Sequence, residues 1–119
     1  MKYVINTVYG GFSLSDEAIM RYAELKGITL FINKDVSFFN SYYTSPDFDN
    51  GSYFRHREIP RNDSVLIQVV EELGRKADGR VAWLVIEEIE PGTRFRLQEY
   101  DGMEWIERES EIEWETANG

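Results

Sequence analysis

Apolar positions recur along this chain with three different periods, and each predicts a different element. Val4, Ile5, Val8 and Tyr9 form a short apolar run that reads as a buried strand, closed by Gly10 and Gly11. Leu14 and Ile19 bracket Ser15 as a hydrophobic staple, with Asp16 and Glu17 placed to favour the helix dipole. Ile19, Tyr22, Ala23 and Lys26 then follow helical spacing up to Gly27, which predicts a helix over Asp16 to Lys26. The β-branched run Ile28 to Ile32 predicts a second strand, buried on both faces and paired with the first.

From Asn33 to Arg61 the period is lost, and Ser, Asn, Asp, Gly and aromatic residues take over, including Phe38, Phe39, Tyr42, Tyr43, Tyr53 and Phe54. Loops of this length in compact domains are usually functional or mobile. Asp63 is placed to cap a second helix carrying Val65, Leu66, Val69, Val70 and Leu73 and ending near Gly74. Arg80 to Ile89, Thr93 to Tyr100 and Met103 to Glu109 read as three strands of an antiparallel meander, joined at Pro91-Gly92 and Asp101-Gly102. Ile112 and Trp114, between Glu111, Glu113 and Glu115, predict a short charged edge strand, and residues 116–119 are expected to fray. The expected class is α+β: one domain over residues 1–119, with an N-terminal β-α-β unit, a long loop over 33–61, a second helix and a C-terminal meander.

Composition narrows the functions. The 119 residues suit one domain with its own core. The net charge of −9 disfavours DNA or RNA partners, and 8 of those 9 charges come from the chain after Ile86, where eleven acidic residues face three basic ones. The segment before it is close to neutral, so a small anion can bind there. Cysteine is absent, which removes disulfides, thiolate metal sites and thiol nucleophiles. No apolar run approaches the roughly 20 residues of a membrane span, and nothing at the start resembles a signal peptide, so a cytoplasmic protein without a membrane partner is expected.

Candidate chemistry is that of binding rather than turnover. The lone histidine, His56, sits between two arginines that lower its pKa, and the paired carboxylates are sequence neighbours that point apart. Asp47 to Gly51 has the look of a calcium loop but places its glycine one position early, so it reads as a turn, and no metal or cofactor is expected. Backbone donors at Tyr9, Gly10, Gly11, Phe12 and Ser13, beside a helix N-terminus, suit phosphate or carboxylate. Arg55, Arg57 and Arg61 offer guanidinium forks for phosphate, and Tyr42, Tyr43 and Tyr53 offer flat faces for a base. The same aromatics have two other uses open to them, covering the core or facing a second subunit.

Three segments, V-I-N-T-V-Y-G-G-F-S-L-S-D-E-A (Val4 to Ala18), R-N-D-S-V-L-I-Q-V-V-E-E-L-G (Arg61 to Gly74) and E-Y-D-G-M-E-W-I (Glu99 to Ile106), carry a resemblance to small phage-encoded proteins and, through them, to viral nucleotide sponges of the anti-CBASS type. They cover under half of the chain, and no family binding residue transfers with them. The resemblance implies a non-enzymatic immune-evasion protein of the host cytoplasm. Such a protein is a homo-oligomer that holds a cyclic dinucleotide such as 3′3′-cyclic GMP-AMP without cleaving it. The alternative reading is an acidic inhibitor that mimics nucleic acid and blocks a host defence protein.

Overall fold

Local chemistry sets both helices where the sequence places them. The computed structural model describes residues 1–34 and 40–118; Phe38 and Phe39 lie outside them. Helix α1 runs Asp16–Lys26, with the Ser15 hydroxyl accepting the Ala18 N–H at 3.1 Å. It ends where Gly27 turns left-handed, at φ 72°, and the Ile28 N–H reaches back to the Ala23 carbonyl. Helix α2 runs Ser64–Leu73, and one Asp63 oxygen accepts both the Val65 and Leu66 N–H groups.

The strands form three antiparallel pairs: β1 (Lys2–Asn6) with β4 (Leu84–Glu88), β2 (Phe31–Asn33) with β3 (Ser41–Tyr43), and β5 (Phe95–Tyr100) with β6 (Met103–Arg108). The class is α+β. The β1–β4 ribbon is the middle layer. Val4, Leu84 and Ile86 face α1 and α2 in the main core with Leu66, Val69 and Ile19, while Ile5 and Val85 face the β5–β6 hairpin in a small second core with Ile89 and Ile106. Both strands are therefore apolar on both faces, as the sequence pattern of 80–89 requires.

Strand partners differ from the expectation in two places. β2 pairs with β3 rather than β1, because neither edge of β1 is open. One edge carries β4, and on the other the Val4 N–H donates to the Arg61 carbonyl at 2.8 Å and the Asn6 N–H to Glu104 Oε1 at 2.9 Å. The three-stranded meander is instead a hairpin, β5–β6, since β4 belongs to β1 and the chain crosses layers at Pro91-Gly92. Residues 80–83 turn before β4 begins, fastened by Ala82 N–H on the Gly79 carbonyl and Leu84 N–H on Asp78 Oδ1. The expected edge strand around Ile112 and Trp114 is not formed; residues 112–118 carry no regular structure. Among the described residues, the long 33–61 segment holds the last residue of β2, all of β3 and two single 3₁₀ turns, Asn50–Ser52 and His56–Glu58.

Candidate functional site

One glycine creates the wall of the main cavity. A Cβ at Gly79 would fall on the Ser13 side chain, and the absence of one lets Gly79 N–H bond the Ser13 carbonyl at 2.9 Å. Leu14 and Asp78 then bridge as short antiparallel neighbours. This seam places the approach to α1 (Ser13 to Asp16) beside the turn Asp78 to Val81. The β2–β3 ends contribute Lys34, Asn40 and Ser41, and the middle segment contributes Tyr53, His56 and Arg57. Together these enclose a cavity of about 830 Å³, inside the range of roughly 300–1,000 Å³ that suits a small-molecule ligand.

Its charge is asymmetric. Both lining carboxylates are engaged: Asp16 accepts from the Tyr42 hydroxyl and from Asn40 Nδ2 on the cavity wall, and Asp78 accepts from Leu84 N–H while paired with Arg75 at 3.1 Å. Lys34, Arg57 and Arg80 also line the cavity, and none of the three has an ion pair among the described residues. Three cations without ion pairs around one hollow give it a local electrostatic balance that suits an anion even in a protein of net charge −9.

His56 lines the same wall and is neutral at pH 7. Burial, and then the Arg57 guanidinium, push its pKa down to about 4, against a smaller opposing pull from Asp16. Its Nε2 is shut away from solvent with no hydrogen-bond partner. Tyr42 titrates well above the usual phenol range, because its hydroxyl is buried and bonded to the Asp16 carboxylate.

The residues singled out in the sequence divide. Ser13, Tyr53 and Arg57 line the cavity, and the Tyr53 ring meets Tyr43 edge-on at 5.5 Å. Tyr43 in turn packs on Phe48, as a neighbour of the lining rather than part of it. Arg55 lies outside, its guanidinium over the Tyr53 ring at 5.6 Å. Tyr42 belongs to the main core. Phe12 is buried beneath the Arg61 guanidinium, 3.5 Å from ring centre to Cζ, and Arg61 is paired with Glu104, so neither reaches a ligand in the cavity.

The glycine corner packs against the Asp101-Gly102 turn. Gly10 N–H donates to the Asp101 carbonyl at 3.2 Å, and Gly102 packs so closely on Gly10-Gly11 that a Cβ there would enter their backbone. Tyr9 beside it is exposed. Lys34 and Arg80 are cavity residues that the sequence did not reveal. Arg80 directly follows the Asp78-Gly79 turn dipeptide, the one local sign that it leaves the strand it was assigned to.

Compared with family models, curated proteins and solved structures, the chain matches none. Among the described residues, no cluster of three or more His, Asp or Glu is placed to hold a metal ion, and no helix is long and apolar enough to cross a membrane.

Proposed function

We propose that this protein binds and sequesters a cyclic dinucleotide of the 3′3′-cyclic GMP-AMP kind without cleaving it, acting as a phage immune-evasion protein against a CBASS-type defence in the host cytoplasm. The observation that carries the reading is the cavity of about 830 Å³ with Lys34, Arg57 and Arg80 unpaired on its walls. A cyclic dinucleotide presents two phosphates for such cations and two bases, for which the Tyr53 ring is a stacking surface. Turnover gains no support from the same walls. Asp16 and Asp78 are both tied to other groups, and the His56 Nε2 is closed off from anything bound in the hollow.

The test is isothermal titration with cyclic dinucleotides and cyclic ADP-ribose isomers, followed by recovery of the ligand from heat-denatured protein. Binding with intact ligand recovered supports sequestration. Cleaved ligand makes the protein an enzyme, and no binding across the panel ends the proposal.

A further inference from the structure

The limb formed by β5 and β6 is only half covered. All three tryptophans of the chain are exposed, Trp83 at 52%, Trp105 at 40% and Trp114 at 73%, although this residue type is mostly buried on average. Trp105 lies on β6 and faces outward with Gln98 and Tyr100, and Trp114 follows shortly after. The limb meets the rest of the molecule through the small core around Ile5, Ile89 and Ile106. The chain is elongated: the radius of gyration is 17.1 Å with a long axis of 63 Å, against about 13.5 Å for a compact chain of this length.

The outer edge of β5 is also open, since among the described residues β6 is its one strand partner. Asp101 and Gly102, with φ of 50° and 89°, make a two-residue primed turn, so Tyr100 and Met103 close the ladder with mutual hydrogen bonds. Counting back, the N–H groups of Phe95, Leu97 and Glu99 point away from β6. Nearby, Glu111-Ile112-Glu113-Trp114-Glu115 alternates as a strand would, yet has none of a strand's pairing. An unpaired edge and an unpaired strand-like segment therefore lie on one limb.

We infer that residues 111–115 of one copy add as an antiparallel strand to the outer edge of β5 in a second copy, and reciprocally, giving a two-fold dimer. Charge favours it. Arg94, just before β5, and Arg96 on it stay 83% and 62% exposed while paired with Glu109 and Glu107 of their own hairpin, and Glu113 and Glu115 have no ion pair among the described residues. Within one copy Ile112 and Trp114 border a shallow groove of about 190 Å³ with Arg94, Phe95 and Arg96 of their own hairpin, so the segment already lies at this end of the limb and has to leave its own groove to reach a second copy. Within one copy the same pairing is obstructed. The 3₁₀ turn Glu109–Glu111 leaves β6 where the chain enters β5, so the segment would have to step across that incoming chain and lie parallel to β5. A second copy presents the edge in the antiparallel sense with no crossing.

Sedimentation equilibrium over a range of concentrations tests this, with dimer expected for the unaltered chain. Trp114→Ser removes the exposed anchor without touching a core and raises the dimer dissociation constant by about tenfold or more. Leu97→Pro removes an outward N–H and has the same effect. Mixing the two variants restores association in part, because the intact segment of the proline variant meets the intact edge of the serine variant. A monomer at every concentration, a dimer indifferent to Trp114→Ser, or no recovery on mixing overturns the inference; a circular-dichroism melt confirms that each variant is folded.

Discussion

Arg61 and Glu104 meet through a 3.0 Å contact between Nη2 and Oε2, and together they close the free edge of β1. The Arg61 carbonyl takes the Val4 N–H, and the other Glu104 oxygen takes the Asn6 N–H. Asn6 is itself fully buried, with its Oδ1 accepting Trp83 N–H and its Nδ2 donating to the carbonyls of Val8 and Gly102. The pair thus joins β1, β6 and the segment before α2 at one point, over the Phe12 ring.

Removing Glu104 leaves the Arg61 charge without its partner and the Asn6 N–H without an acceptor. Glu104→Ala is expected to cost about 3–5 kcal/mol of unfolding free energy, measured by urea denaturation. Glu104→Gln keeps an acceptor for Asn6 and costs less. Many buried ion pairs are replaced by two apolar residues at little cost; here the double variant Arg61→Met/Glu104→Leu stays destabilised, because the Asn6 N–H remains without a partner.

Two glycines with similar backbone angles separate conformational strain from close approach. Gly92 has φ 81° with open space where a Cβ would go, whereas Gly102 has φ 89° and lies on the Gly10-Gly11 backbone. Gly92→Ala is expected to cost only the left-handed penalty of about 1–2 kcal/mol. Gly102→Ala costs clearly more and loosens the hairpin from β1, which hydrogen exchange at the Gly10 and Asn6 amides reads directly.

Legibility in the sequence follows the range of the interaction that decides each feature. Ser15, Gly27 and Asp63 settle helix ends through contacts within a few residues, so both helices are readable to the residue. Which strand neighbours β1 depends on Arg61 and Glu104, far along the chain, and no local pattern at Ile28 to Ile32 carries that information. The cavity divides the same way. Arg57 and Tyr53 belong to a visibly irregular, aromatic segment, but Lys34 and Arg80 join them only through the Gly79–Ser13 seam and the β2–β3 pairing. Gly10-Gly11 reads as an anion corner because its partner, the Asp101-Gly102 turn, is equally distant.

Acid should weaken the fold in two steps. His56 has a folded pKa of about 4, below its ordinary 6.5, so between those values the unfolded chain binds a proton that the native one refuses. Stability therefore falls as pH drops from 6.5 towards 4, at no more than about 1.4 kcal/mol per pH unit, reduced by the partial solvent access of the ring. Burial alone would raise the Asp63 carboxyl; the Leu66 N–H, Lys26, the Tyr22 hydroxyl and the Val65 N–H together hold it below its ordinary value. Its contribution is present above 3.8 and is lost as pH falls through the lowered pKa. Urea midpoints against pH for His56→Gln should flatten the upper step and leave the lower one.

Charge reversal at the cavity offers a comparison between neighbouring arginines. Arg57 lines the hollow, while Arg55, two residues earlier, lies outside it against Tyr53. A charged hydrogen bond to phosphate contributes about 1.5–3 kcal/mol, so losing one weakens binding on the order of tenfold to a hundredfold, and placing a like charge beside the phosphate weakens it further. In titrations with 3′3′-cyclic GMP-AMP, Arg57→Glu and Arg80→Glu are each expected to lower affinity by at least that factor, and Arg55→Glu by little. Both Arg57 and Arg80 are free of ion pairs among the described residues, so their loss breaks no salt bridge in the unbound protein and thermal unfolding without ligand should barely move. Equal sensitivity at Arg55 and Arg57 would place the phosphate outside the cavity, over the Tyr53 ring.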